Sequence, residues 1–521
     1  MSESTYTGPV AVPAAEANAP GDRGSASGIN DGGTASGTPG GGAPESATPD
    51  HSARNRLVIR LLLVSAFVVI LNETIMSVAI PELMKDLRIE ASTAQWLTTA
   101  FMLTMAIVIP ITGYLLERFS TRQVFIAAMS LFTLGTLICA VAPGFAVLLG
   151  GRIVQACGTA IMMPLLMTTV MRLVEPARRG RTMGNISIVM SVAPAIGPTI
   201  SGFILNVLDW RWIFILVLPI AAASLALGLA RIRNVSTPVK VPVDVLSVIL
   251  SAFAFGGLIF GLSSLGEAAA GHAMMEPWIP LTVGGVALAA FVARQLQLQR
   301  ADRALLDLRT FSIPGFAVPV VLMVIMMAAL FGSIIILPLY LQDALGLEPL
   351  QTGLLMMPGS LLMGLLGPIV GRLYDRVGPR MLVVPGTIIV SLVLWSLVIL
   401  SETTPVWFVL TAHVVMCLGL ALTFTPLFTA SLGSLTPHLI SHGSATIGTL
   451  QQVAGAAGTA LFITVLTFTS AGMITDGAGE LTALAGGVRT AFLYGAVISV
   501  LAVVGAFFVK RPAAEASHPA G

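Results

Sequence analysis

The chain has 521 residues, 55% of them hydrophobic and only 10% charged, with a mean hydropathy of +0.91. Soluble domains carry about 25% charged residues, so a water-soluble globular protein is excluded as a class. The 27 bases and 25 acids nearly cancel; the placement of charge is the signal, and no nucleic-acid partner is expected.

Residues 1–53 differ from the rest. Gly28 to Gly42 is rich in Gly, Ser, Thr and Ala, with no apolar periodicity and nothing large to bury, so a disordered cytoplasmic tail is expected. A basic start followed by an apolar h-region is missing, which argues against a secretory signal.

A bilayer crossing needs roughly 20 apolar residues. Fourteen such runs follow in chain order: 57–80, 95–115, 123–143, 145–170, 184–206, 212–231, 244–264, 278–297, 314–340, 352–370, 381–401, 405–430, 445–469 and 487–510. An all-α integral membrane protein in a lipid bilayer is the expected fold class. Twenty-one bases fall in the even-numbered loops and at the two ends of this series. Four fall in the odd-numbered loops: Lys85, Arg88, Arg211 and Arg489. The positive-inside rule then places both termini in the cytoplasm of a multi-pass protein of the cell membrane.

One pattern occurs twice. Pro110-Ile-Thr-Gly113-Tyr-Leu-Leu-Glu117-Arg118-Phe-Ser-Thr-Arg122 closes span 2, and Pro368-Ile-Val-Gly371-Arg-Leu-Tyr-Asp375-Arg376-Val-Gly-Pro-Arg380 closes span 10. The copies match without a gap at an offset of 258 residues. Repeated halves are common in secondary transporters. An eight-span offset divides the chain into a six-helix half at 54–233, two additional helices at 234–300, a second six-helix half at 301–511 and a cytoplasmic tail at 512–521.

These loops resemble the cytoplasmic signature motif of the major facilitator superfamily, Gly-x-Leu-x-Asp-Arg-x-Gly-Arg-Arg. The 6+2+6 layout is similar to its fourteen-spanner drug:proton antiporter branch, the EmrB/LmrB-like multidrug efflux permeases. The first copy departs from the motif with Glu117 for Asp and Ser120 for Gly. The resemblance implies that Gly113, Glu117, Arg118, Arg122, Gly371, Asp375, Arg376 and Arg380 form a cytoplasmic gate. Physically, an acid followed by bases at a helix end can pair with a neighbouring helix or its dipole.

Ionisable groups deep in a span are costly and are functional candidates by default. Two stand out, Glu73 and Arg152. Leu71-Asn72-Glu73-Thr74-Ile75 resembles the family's span-1 motif, Leu-Asp-x-Thr-Ile, but Asn72 occupies the acid position and the carboxylate comes one residue later. One step turns a side chain by about 100° around a helix. A desolvated carboxylate can exchange protons near neutral pH, so Glu73 is the candidate for proton or cationic-substrate binding. Gly151-Arg152-Ile-Val-Gln155 resembles the family motif Arg-x-x-Gln, with Arg152 and Gln155 on one helix face. A guanidinium stays charged at any reachable pH, so Arg152 would bias a nearby carboxylate or hold carbonyls at a gate rather than carry the proton.

Span 5 carries Ala193-Pro194-Ala195-Ile-Gly197-Pro198-Thr-Ile-Ser201-Gly202. Small residues permit close helix approach and prolines favour a bend. Pro194, Gly197, Pro198 and Gly202 resemble the antiporter motif of exporters in this superfamily. A pocket is expected from Met162, Met163, Met167, Met323, Met326, Met327, Met356 and Met357, with Gln451, Gln452 and His413 supplying polarity. The cargo implied is a hydrophobic or amphipathic small molecule, exported against protons; no accessory protein is indicated.

No Walker-type or HExxH motif occurs, and the cysteines are scattered, so neither a metal nor another cofactor is expected and the proton gradient is the energy source. An enzyme is not expected. A transporter of an endogenous metabolite or lipid, including a symporter, is the alternative, and a non-transporting receptor or scaffold a more distant one.

Overall fold

In the computed structural model the described residues are 51–512, other than 233, 235–241, 243 and 270–274. The expected tail at 1–53 lies outside them except at its last three residues, which already belong to the first helix. The tail at 512–521 likewise lies outside, beyond residue 512.

Fourteen long helices account for the fold, and no strand occurs among the described residues. The first six are α1 (His51–Leu87), α2 (Ala91–Arg118), α3 (Thr121–Ala140), α4 (Phe145–Leu173), α5 (Arg179–Val207) and α6 (Arg211–Arg231). The added pair is α7 (Val245–Ala269) and α8 (Trp278–Leu298). The remaining six are α9 (Pro314–Leu339), α10 (Pro349–Val377), α11 (Arg380–Leu397), α12 (Val406–Gly433), α13 (Ile440–Thr475) and α14 (Glu480–Ala506). All fourteen are long and apolar enough to cross a membrane. Helices are the solution here because each backbone polar group must find its partner inside its own segment.

Most helices outrun their expected limits. α1 and α13 have 37 and 36 residues, because their polar ends continue the helix beyond the apolar run that hydropathy detects. α5 stays helical through Pro194 and Pro198.

Small residues set the closest crossings. A methyl at Gly135 would meet the backbone of Gln155, and one at Gly158 the Ala128 carbonyl, so α3 and α4 pack nearly backbone to backbone. The same holds across the halves. Methyls at Gly371 and Gly184 would meet the carbonyls of Gly180 and Gly367, so α5 and α10 touch through glycine. The added pair packs face to face through Gly257 and Gly284, and α7 also lies against α2 and α13. It therefore bridges one helix from each half.

One end of the bundle collects the Arg-rich loops; we call it the basic end. The opposite end is stapled within each half. Trp210, only 1% exposed, donates its indole N–H to Asp86 at 2.8 Å. Arg211 stacks on the Trp210 ring, bonds Asp86 and Asp209, and donates to the Ala142 carbonyl. This ties α1, α3 and α6 together, and the bonds from Trp210 and Arg211 hold the Asp86 carboxyl below its usual range. In the second half, Tyr340 donates to the Ser401 carbonyl and Arg489 to the Val398 carbonyl.

Candidate functional site

Three sets of polar residues occupy different depths of the bundle.

The first surrounds Arg152. Its guanidinium is 1% exposed and donates to Gln155 Oε1 at 2.7 Å and Asn72 Oδ1 at 3.3 Å. Gln155 passes the chain on, its Nε2 donating to Thr136 Oγ1 at 2.8 Å. The i, i+3 spacing on α4 places Arg152 and Gln155 together, as their sequence suggests. Gly135 and Gly151 let α3 approach closely enough for Thr136 to reach them. The Phe101 ring of α2 covers the guanidinium at 4.0 Å, a cation–π contact worth about 2 kcal/mol when desolvated.

Glu73 does not join this network. Asn72 takes the hydrogen bond from Arg152, and no hydrogen bond or ion pair joins Glu73 to the guanidinium. Its side chain is half-buried, and no described side chain donates to its carboxylate. The cation is buried among neutral partners while the acid next to it stands without a bonded base. Two donors in the cluster, Arg152 Nε and Asn72 Nδ2, have no partner among the described residues. Next door, a methyl on Gly197 of α5 would strike the Thr74 hydroxyl of α1. The expected close approach in span 5 is therefore made by Gly197, directly beside the Asn72–Glu73 pair. Gly202 faces open space and makes no such approach.

The second set is a small chamber between the halves, of about 60 Å³, lined by Met163, Met167, Met190, Phe428, Ser444 and Gln451 among others. That is room for roughly two waters at their liquid volume, far below the several hundred Å³ of a drug-sized pocket. A substrate chamber here requires the halves to part. Of the expected pocket residues, Gln451 lines it. Gln452 reaches across the halves to Met105 Sδ at 3.9 Å. His413 does not take part: it is 2% exposed on α12, with Cys417 Sγ 3.6 Å from Nε2 and Gly359 of α10 against its ring.

The third set closes the basic end through both copies of the repeated motif. In the second copy, Asp375 accepts from the backbone amides of Gly180 and Arg181, at 2.8 and 2.9 Å. These amides open α5, where helix N–H groups lack intrahelical partners and the dipole favours an anion. In the first copy, Glu117 lies 3.2 Å from His442 Nε2, on the first turn of α13. Arg172 of α4 donates to Ser441 Oγ at 3.1 Å beside it. Ser187 of α5 and Thr425 of α12 share a bond of 2.6 Å further in. The two copies thus reach across to equivalent helices of the opposite half.

The motif arginines work nearer home. Arg122 donates to the Leu229 carbonyl at the end of α6, and Arg380 stands over the Phe507 ring after α14. Arg118 and Arg376 end α2 and α10, Arg376 in full exposure. Ser120, the departure from the motif glycine, caps α3: its hydroxyl accepts from Gln123 N while Gln123 Oε1 accepts from Ser120 N. Its counterpart Gly378 has φ +81° and ends α10, a conformation that needs glycine.

His442 and the added-helix network carry no local sequence signal. Pro437 opens a turn that holds His438, and His442 lies just beyond it in the helix. Asp244 at the start of α7 accepts two bonds from Arg294 of α8, at 3.0 and 3.2 Å, and caps Ser247. These bonds, Arg294 foremost, hold the Asp244 carboxyl at about 2. Gln295 accepts from Leu305 N at 2.7 Å and from Leu306 N, fixing the segment that leads into α9.

Two six-helix halves joined across a closed end, with a polar cluster buried in the first half, define an integral membrane protein of paired halves. A profile of the Major Facilitator Superfamily matches residues 62–459. The chain belongs to that superfamily. It is 40% identical to the MFS-type transporter YcnB of Bacillus subtilis over 456 residues, covering 88% of this chain and 95% of that one. Lincomycin resistance protein LmrB of the same organism is 39% identical, covering 86% and 95%. A multidrug resistance protein B homolog of Mycobacterium tuberculosis is 32% identical over 400 residues, covering 76% and 73%. Among solved structures, the human organic anion transporter MFSD10 has a TM-score of 0.60 at 16% identity over 87% of this chain and 99% of that one. The proton:xylose symporter XylE has 0.59 at 14%, over 90% and 99%. These share the fold.

Proposed function

We propose that this transporter is a proton-coupled antiporter that exports hydrophobic or amphipathic compounds, antibiotics among them, by alternating access. The basic end faces the cytoplasm, as the positive-inside rule requires. The observation that carries the coupling is the half-buried Glu73 without a bonded base, one residue from the Asn72–Arg152–Gln155 network. Arg152 cannot shed its proton, but it sets the electrostatic field in which the Glu73 carboxyl gains and loses one. Gly197 lets α5 bear on the same turn of α1, so a proton arriving at Glu73 and a movement of α5 against α1 affect one another.

The cargo class rests on the methionine-rich chamber and on relatives named for lincomycin and multidrug resistance. Met side chains adapt their shape to varied apolar ligands. The test is expression in a pump-deficient host with fluorescent amphipaths and antibiotics, lincomycin included. Accumulation falls and resistance rises with the protein, and an uncoupler abolishes both. Export that persists with the proton gradient collapsed would overturn the coupling, and unchanged accumulation of every compound the cargo class.

A further inference from the structure

His442 has acceptors on both sides. Its Nδ1 lies 3.2 Å from the Leu305 carbonyl oxygen, and its Nε2 lies 3.2 Å from Glu117 Oε1. A carbonyl only accepts, so Nδ1 carries a hydrogen. The contact between Nε2 and the carboxyl oxygen also needs a hydrogen between them. Whether that hydrogen sits on nitrogen or oxygen, the pair holds one proton more than a neutral imidazole beside a carboxylate.

We propose that His442 and Glu117 form a second proton-binding site, at the cytoplasmic gate, whose proton is bound when the gate closes and released when it opens. The inference rests on reading the basic end as cytoplasmic, and on alternating access.

The surroundings suit the assignment. Glu117 is on α2, His442 on α13, so the pair exists only while the halves meet. The ring is 6% exposed as a residue and sits against Gly113 of the motif, whose added methyl would lie 3.4 Å from Nδ1. Besides Glu117, the charged groups facing it are Asp307, which is held by Arg309, and Arg172 of α4 beside Glu117. Each of the two acids near the ring therefore has a basic neighbour, Arg172 beside Glu117 and Arg309 on Asp307. On opening, the imidazole loses its carboxylate partner and meets water. It then hands its proton to the cytoplasm at neutral pH. The peptide unit that carries the Leu305 carbonyl is held by Gln295 of α8 through the Leu306 amide. The added helix pair thereby braces one face of this site.

The test uses the full-length chain in nanodiscs, with Cys139, Cys157 and Cys417 replaced by alanine and spin labels at Arg178 and His438, both exposed loop positions in opposite halves. The label distance is followed from roughly pH 6 to roughly pH 8.5, the range over which an imidazole titrates. One proton bound only in the closed form changes the closed-to-open ratio by up to about tenfold per pH unit, closing as pH falls. His442→Gln and Glu117→Gln each flatten this dependence; His442→Lys, which supplies a fixed charge, holds the end closed throughout. Wild-type pH dependence retained in both His442→Gln and Glu117→Gln would overturn the site, as would a wild-type distance that ignores pH. Drug export is measured separately on the same variants: pH-driven closing without proton-linked export supports the gate site and counts against the antiporter reading, and the reverse result counts against the gate site alone.

Discussion

The two copies of the repeated motif end in the same place and hold in different ways. Asp375 ends the second copy on two backbone amides at the start of α5. Glu117 ends the first on a side chain, His442, at the start of α13. A backbone amide has one protonation state, so the partner of Asp375 does not titrate. An imidazole has two, so the partner of Glu117 does. Duplication supplied one latch geometry, and the difference of a single partner makes one copy a fixed hinge and the other a proton-sensitive one.

The glycines sharpen this contrast most. At Gly371 an added methyl meets the Gly180 carbonyl, and neither backbone can yield without parting α5 from α10. Overpacking of this kind costs about 1–3 kcal/mol, so Gly371→Ala should lower the closed-to-open ratio by roughly five- to a hundred-and-fifty-fold. At Gly113 the nearest atom is the Ala445 methyl at 3.3 Å, and Gly113→Ala should change it by under about threefold, because a few tenths of an ångström suffice. Spin-label distances across the basic end measure both. Equal losses would mean the two crossings are equally tight.

The acids come next. Asp375→Asn removes an anion from a helix N-terminus, worth about 1 kcal/mol, and should open the gate to the same degree at pH 6 and pH 8. Glu117→Gln should do so mainly at the lower pH, where the wild-type pair holds its proton. The same pH profile in both variants would erase the distinction drawn between the copies.

Smaller effects follow at Ser120 and Gly378. Gly378→Ser places a side chain at φ +81° and should cost about 1 kcal/mol, whereas Ser120→Gly should cost only a few tenths, as for other caps replaced by glycine. Thermal unfolding in detergent should show a clear loss for the first and almost none for the second.

The smallest pH effect belongs to the added helices. Arg294 holds Asp244 at about 2, so the stability it contributes is present above the ordinary carboxylate value and lost only as pH falls toward about 2. Asp244→Asn should lower the melting temperature by the same amount at pH 6 and pH 8. A loss that changed between them would mean this anchor titrates with the gate.

Much of this was legible in the chain. Fourteen apolar runs showed fourteen crossings, because the cost of exposing polar backbone to lipid leaves little freedom. Arg152 and Gln155 were legible as a pair because helical spacing alone brings them together. Glu73 was legible as a charge in the membrane, but its relation to Arg152 was not. Only the rotation of α1 decides that Asn72, rather than Glu73, bonds the guanidinium. His442 was hidden for another reason: its partners come from α2 and from the segment before α9, distant in sequence, and nothing local marks it. The brace from Gln295 to Leu305 is likewise a tertiary contact with no motif of its own.

The proposed exchange turns on Glu73 carrying the proton that moves against cargo. The direct measurement is substrate-driven proton flux in proteoliposomes, comparing the wild type with Glu73→Gln at matched reconstitution. The account predicts that a substrate gradient drives protons across the membrane in the wild type and that this flux is lost in Glu73→Gln while substrate binding remains. Coupled flux at the wild-type rate in Glu73→Gln would contradict it.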